Sequence, residues 1–358
     1  MHRLTSRQRA FQIRKNRRIT RRKFKIRRKI QIQKRRFVTW HRIEAPAIFD
    51  LYEAKHRDRL LRFLEQLRVS IVVERKPVCL DFTGVEKLIA DATLLFLAEL
   101  KRTIKLAPEI KIRCIPPRKR KIAQVFQKIK IFKILRHSKL YSYIADHHVV
   151  HWRFATGSDV EGNKYDDILG VYDGQIAEKL SNKLYVGLTE AMTNVHNHAY
   201  LLTRQDGLDQ NGIVKDWWMF SQERDGFLHV VFCDLGAGIP QTMPIKHPTV
   251  IQQLIRFTQI KSRKPSDAEI IEEATKLKVS GTGLSHRGRG LSQMVKAVAN
   301  DFHGDLFLYS NFGCFVVGRE KKLIDYKTSI MGTLIAWRIP LTNPKEHPYG
   351  TTYHQYSD

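Results

Sequence analysis

The chain has 358 residues, 42% of them hydrophobic, enough for two domains of roughly 100–200 residues each. Lys and Arg outnumber Asp and Glu by 63 to 35, a formal net charge of +28. No apolar run approaches the roughly 20 residues of a membrane span, and no apolar h-region follows the basic N-terminus as secretion would require.

Residues 1–43 form a basic arm. The first 42 hold eighteen Lys or Arg and no acid, so they carry +18 of the +28 and leave +10 for the other 316. A block this basic buries too little to fold alone and repels itself, so it is expected to be disordered or helical and to seek a polyanion: DNA, RNA, an anionic membrane or an acidic protein. It is also Arg-rich and acid-free like a transit peptide, but short of Ser.

Residues 44–137 read as a small α/β domain. Phe49 to Leu67 has helical spacing, Ser70 to Val73 and Val78 to Phe82 are β-branched or apolar runs expected as strands, and Asp91 to Lys105 is a helix with Leu94, Leu97 and Ala98 on its stripe. Ile110 to Ile115 is a strand stopped by Pro116-Pro117, and Lys119 to Ile129 is helical. This order implies a partly parallel sheet with helices packed on it. Residues 138–152 are a connector.

Residues 153–342 read as a second α/β domain, and 343–358 as a polar tail. A strand starts within Val149 to Phe154, a helix runs from about Gly174 to Tyr200, and Trp217 to Ser221 pairs with Phe227 to Asp234 around Arg224-Asp225-Gly226. Residues 245–287 look polar and irregular, with one helix near Asp267 to Leu277. Leu291 to Asn300 is helical, and Asp305 to Ser310, Cys314 to Arg319 and Gly332 to Ile339 close the sheet. Cys79, Cys114, Cys233 and Cys314 lie scattered and form no CxxC pair; they read as small buried hydrophobes of a reducing, cytoplasmic compartment. His147, His148, His151, His196 and His198 lack an accompanying Cys or carboxylate pattern and read as ordinary strand and helix residues. Trp217-Trp218 reads as sheet core.

Three elements of the second domain carry chemistry. Glu190, Asn194 and His198 lie at i, i+4 and i+8, so they share one helical face opposite Leu184, Leu188, Met192 and Val195. The apolar strand Val231-Phe-Cys-Asp234 ends in an acid followed by Gly236 and Gly238. Glycine lets backbone approach a ligand closely, and a carboxylate there can accept a hydrogen bond from an exocyclic amine such as adenine's. Ser280 to Leu291 is glycine-rich and opens onto a helix N-terminus, which suits an anion; Arg287 and Arg289 add charge for phosphates. Each element alone has a plain alternative: a solvated stripe, a tight turn, a capping loop. A fourth element is Gly332-Thr333, which opens the last strand.

These elements in this order, with a lid between the second and third, resemble the GHKL (Bergerat-type) ATPases, the superfamily of gyrase-type ATPases, histidine kinases and anti-sigma-factor serine kinases. The resemblance covers about residues 153–342 and implies an α/β sandwich that binds ATP with Mg2+. It places Glu190 as the general base, Asn194 as the Mg2+ ligand, Asp234 as the reader of adenine with Gly236 and Gly238 behind the base, and Thr333 on the adenine side. Gly288, Gly290 and Leu291, with Arg287 and Arg289, would wrap the phosphates. Gly281-Thr282-Gly283-Leu284 is a competing glycine box; 288–291 fits the distance to His303-Gly304 better. Residues 201–216 make a longer connection than the family leads one to expect.

Val78-Cys-Leu-Asp81-Phe-Thr83-Gly84-Val85, followed by a Leu-rich helix, resembles the STAS domain of anti-sigma-factor antagonists. STAS switches are phosphorylated on a Ser at the start of that helix; here Ala90 and Asp91 stand near that position, and a fixed carboxylate is not switched by phosphorylation. The pairing implies an intramolecular STAS–ATPase contact, since fusion raises effective concentration, and it leaves a homodimer open. Three functions follow: an ATP-dependent regulatory switch with slow hydrolysis, an anti-sigma-type protein serine/threonine kinase, or a nucleic-acid-binding protein with ATP as regulatory ligand. Glu190 argues against a histidine autokinase.

Overall fold

The computed structural model describes residues 14–23, 39–138, 152–160, 164, 169, 178–208, 215–224, 226–259, 262–277, 291–292, 295, 304–318 and 320–341. The chain divides into two units, Met1–His41 and Arg42–Asp358. In the first, α1 covers residues 14–23 and every residue of it is exposed.

In the second unit, α2 (Ala54–Arg68) buries Leu60, Leu61, Phe63, Leu64 and Leu67, the helical spacing read from the sequence. It does not give way to a strand. Val69–Val73 continues as a π-helical turn that buries Ser70 and Ile71, so the expected Ser70–Val73 strand is absent. A helix already formed adds residues at little further entropy, and that outweighs the β preference of a run this short. β3 (Val78–Asp81) and β5 (Ile112–Ile115) pair in parallel, in a sheet of order β1-β3-β5 with β1 (His41–Glu44). β2 (Ile48–Phe49) and β4 (Lys87–Leu88) form a two-stranded parallel ribbon. The helices α3 (Ala90–Leu106), α4 (Arg120–Lys128) and α5 (Ile131–Ile134) complete this part.

The remaining strands form one sheet of order β11-β10-β9-β12-β8-β7-β6, antiparallel at every pairing. They are β6 (Arg153–Gly157), β7 (Trp217–Arg224), β8 (Phe227–Asp234), β9 (Asp305–Ser310), β10 (Gly313–Val317), β11 (Lys322–Asp325) and β12 (Thr333–Pro340). Side chains alternate between two cores, as a pleated strand requires. Trp217, Met219, Val230, Phe232, Leu308 and Trp337 pack with Leu184, Leu188 and Met192 of α6 (Glu178–Asn194). Trp218, Phe220, Val231, Cys233, Tyr309 and Leu334 belong instead to the core that holds α2 and α3.

α3 explains that second core. Thirteen of its seventeen residues are buried, Asp91, Glu99 and Arg102 among them, so the helix is covered on more than its apolar stripe. It packs against α2 and also against β7, β8 and β12. Residues 44–137 and 153–341 therefore share one hydrophobic interior.

Polar groups cross the same boundary. Tyr326 donates to the Tyr52 carbonyl at 2.9 Å, and Thr328 Oγ1 meets Asp58 at 2.6 Å. The Arg57 guanidinium is fully buried; it donates to the carbonyls of Leu51, Asn311 and Thr328 and lies 4.0 Å from the Tyr326 ring centroid.

The stretch 245–287, expected to be irregular apart from one helix, is more ordered among its described residues. α7 (Ile239–Lys246) and α8 (Pro248–Gln259) precede α9 (Asp267–Lys276). Pro240 and Pro248 were readable as breakers but stand in first turns, where the missing N–H is no loss. α9 starts with a capping box, Ser266 to Glu269. β11 was not foreseen, because Lys322 and Leu323 are exposed and the strand lies at the sheet edge without an apolar alternation. The fold is mixed α/β. No helix among the described residues is long and apolar enough to cross a membrane. Cys79, Cys233 and Cys314 are buried and all four cysteines are free.

Asp91, at the start of α3, lies inside this shared interior. Burial and Asp50 push its carboxyl up to about 7, against the pull of the Ala92 amide, Arg57 and Tyr309. A carboxyl raised on folding contributes stability that is complete below the ordinary carboxylate range and is lost as pH rises through about 7. Asp91→Asn is therefore expected to remove about 2 kcal/mol of the stability loss between about pH 5 and about pH 8, read from urea midpoints at both pH values. Equal pH dependence in parent and variant would refute this.

Candidate functional site

β8 ends at Asp234, and its neighbours fix what surrounds it. Asp234 stands opposite Trp217 of β7 on one side and opposite Thr333, the first residue of β12, on the other. Asp234 is 6% exposed. Its Oδ1 accepts the Gly236 amide at 2.9 Å, a turn closed by an acid two residues back. Burial pushes the group up to about 6, although the amides of Gly236 and Thr333 and the charge of Arg204 oppose this.

The glycine turn is held by two other elements. The first is the end of α6, which runs into a π-helical turn, Val195–Ala199. The Ala237 amide donates to the Ala199 carbonyl at 2.7 Å. A Cβ at Gly236 would lie 2.1 Å from that same oxygen, so the turn sits flush against the helix end. The second is the β9–β10 turn. Asn311 Nδ2 donates to the Ala237 carbonyl at 2.9 Å, and Asn311 Oδ1 accepts the Gly332 amide at 3.2 Å. Gly238 has φ +86, a region open to glycine. Ser310 Oγ accepts the Ile239 amide at 2.8 Å and lies 3.2 Å from Thr333 Oγ1. Arg57 of α2 donates to the Asn311 carbonyl at 3.2 Å, so α2 reaches the turn through this side chain.

Asp234, Gly236, Gly238 and Thr333 are thus neighbours. Glu190 and Asn194 lie on α6, nine and five residues before Ala199, which is about 13 and 7 Å along the axis from the contact with the glycine turn. Both are half-buried. His198 is half-buried too; its Nδ1 has no hydrogen-bond partner among the described residues, and burial, with Lys246 next to it, pushes its imidazole below the ordinary range. Arg287, Gly288, Arg289 and Gly290 lie outside the described residues. Leu291 is described: it packs half-buried against the α6 core and against the small cluster of Met243, Ile251 and Ala274.

Ser310 and Asn311 were missed from the sequence. Their signal is a Ser-Asn-Phe-Gly run between two apolar strands, which reads only as a hairpin turn. Among the described residues, no group of three or more His, Cys, Asp or Glu could hold a metal ion. Asn194, half-buried on α6, carries an amide oxygen, a hard donor of the kind Mg2+ takes alongside water and phosphate oxygens.

No family model matches the chain, and no curated protein matches it either.

Proposed function

We propose that the Asp234 site binds the adenine of Mg-ATP and that the chain is a GHKL-type, ATP-dependent regulatory switch with slow hydrolysis. The observation that carries this reading is the register of Thr333 opposite a buried Asp234, bounded by two glycines whose missing side chains shape the turn. A desolvated carboxylate is a strong acceptor for an exocyclic amine. Asn194 would hold Mg2+ through its amide oxygen, which supplies charge neutralisation at the phosphates. Glu190 would take the proton of the attacking water. Gly288, Gly290, Arg287 and Arg289 would hold the phosphates.

The STAS-like part, residues 44–137, would act on the site through the shared core and through Arg57 on the Asn311 turn. The arm adds a partner. α1 presents seven exposed Lys or Arg within residues 14–23, which supports a polyanion ligand for residues 1–42.

Asp234→Asn is expected to abolish ATP binding, because the amide would present a donor where an acceptor is needed. Glu190→Ala is expected to keep binding and stop turnover. Binding is read with a fluorescent ATP analogue, and turnover with labelled ATP and Mg2+, separating free phosphate from phosphoprotein. Normal turnover by Glu190→Ala would remove the general base, and label on the protein would favour the serine/threonine kinase reading.

A further inference from the structure

Charge along the chain falls into blocks. Residues 43–109 hold eleven Lys or Arg and eleven Asp or Glu. Residues 146–358 hold 23 and 24. Between them, residues 110–145 hold eleven Lys or Arg and no acid at all. Outside the arm, the net positive charge of the chain is therefore confined to one stretch, whose described part is residues 110–138.

Ten of those eleven cations lie within residues 110–138, and all ten are exposed. Arg118, Lys119, Arg120 and Lys121 cluster where α4 begins, and no acid stands in its first turn. The positive end of a helix dipole favours anions, so this placement works against helix stability rather than for it. A nearby carboxylate, Glu86, lies 3.9 Å from Lys119 with both side chains exposed, and such pairs contribute little. Lys128 ends α4, and Lys130, Lys133 and Arg136 follow it along the exposed surface. Lys130 and Arg136 have φ +64 and +53, a conformation that disfavours side chains with a Cβ.

The surface lacks what a bilayer needs. An interfacial helix pairs cations with an exposed apolar stripe. The apolar side of α4 is already used: Ile122, Ala123, Val125 and Phe126 are buried. None of the large exposed hydrophobic residues lies within 110–138. A peptide partner would also be expected to find an apolar anchor here. What remains is two groups of exposed cations, Arg118 to Lys121 around the start of α4 and Lys128, Lys130, Lys133 and Arg136 from its last residue onward, set apart by a helix of nine residues, about 13 Å, which matches a ligand that presents charges repeated along its length and nothing else.

We propose that the exposed face of α4, α5 and the loop before them binds the phosphodiester backbone of nucleic acid. The face is separate from the Asp234 site and does not depend on the ATP reading. It gives the chain a second cationic surface in addition to the arm, and two linked surfaces raise the affinity of each other by effective concentration.

The test uses the full chain and two fluorescein-labelled probes, a duplex DNA and a single-stranded RNA of about 20 nucleotides, titrated by anisotropy across a salt series. Arg118→Gln, Lys119→Gln, Lys128→Gln and Lys133→Gln are combined in one variant. The expected result is a loss of at least about tenfold in affinity for one or both probes, with the slope of log K against log salt smaller by about 3. Loss on one probe alone identifies which backbone is preferred. Unchanged affinity and slope on both probes would overturn the proposal. So would unchanged nucleic-acid binding together with lost binding to phosphatidylserine vesicles. Should the fourfold variant lose its thermal transition, the pairs Arg118→Gln/Lys119→Gln and Lys128→Gln/Lys133→Gln carry the test, each with about half the slope change.

Discussion

Glu99→Ala is expected to destabilise the protein by about 3–5 kcal/mol, because it removes the anion from a buried cluster of arginines. Glu99 is 0% exposed on α3. Its Oε1 accepts from Arg204 and, at 3.0 Å, from Arg68. Arg102 donates to Asp206 at 2.6 Å, and Arg204 also lies 3.4 Å from Asp206. Without Glu99, Arg102 and Arg204 keep Asp206, but Arg68 loses its carboxylate partner. Burial alone would raise Glu99, but Arg204, Arg68 and Arg102 outweigh it and hold the group down at about 2. A carboxyl depressed on folding contributes stability that is complete above the ordinary carboxylate range and is lost as pH falls toward about 2. Parent protein should therefore lose this contribution below about pH 4.5, whereas Glu99→Ala should lack that part of the acid sensitivity. Urea unfolding at neutral and acid pH measures both effects. A variant that unfolds at the parent's urea concentration would remove the cluster from the list of what holds α3 to the sheet.

The cluster matters for the site as well as for stability. Arg68 comes from α2, and Glu99 and Arg102 from α3. Arg204 follows the end of α6 and donates to the Met331 carbonyl at 2.6 Å, two residues before Thr333. One buried network thus ties both halves of the unit to the backbone that opens β12 opposite Asp234.

That network was not legible in the sequence. Charged residues in amphipathic helices read as solvated, and nothing local distinguishes Glu99 or Arg57 from the exposed residues around them. The partner that buries them arrives from more than a hundred positions away. The same reason hid the role of α3: its apolar residues were readable, but not that a second sheet covers its outer side. Local signals did better. The apolar runs along β7 to β10 and β12 mark strands buried on both faces, and the Asp234-Leu-Gly236-Ala-Gly238 turn announces itself by its glycines. The acid-free run from 110 to 145 was visible in principle. It was missed because a charge of +10 looks small when averaged over 316 residues.

Gly236→Ala is expected to destabilise the ligand-free protein by about 3 kcal/mol, the upper end of the usual overpacking range. The resemblance to GHKL ATPases gives this glycine to the nucleotide, as a place where backbone must approach the base. The geometry gives it a second duty. A Cβ there would lie 2.1 Å from the Ala199 oxygen and 2.5 Å from its carbonyl carbon. These are backbone atoms and cannot turn aside as a flexible side chain could. The hydrogen bond from Ala237 to Ala199 at 2.7 Å closes the same contact, so relief requires the end of α6 to move off the turn. Asn194 and Glu190 sit on that helix, and their placement would move with it. Gly84→Ala is the control, since a Cβ there meets nothing within 4 Å; it should be close to neutral. Thermal and urea unfolding without nucleotide separate the two duties. Loss of stability in Gly236→Ala before any ATP is added means that the glycine serves the joint between α6 and β8. Full stability with lost ATP binding would mean that it serves the ligand alone, and that the close approach to Ala199 carries no strain.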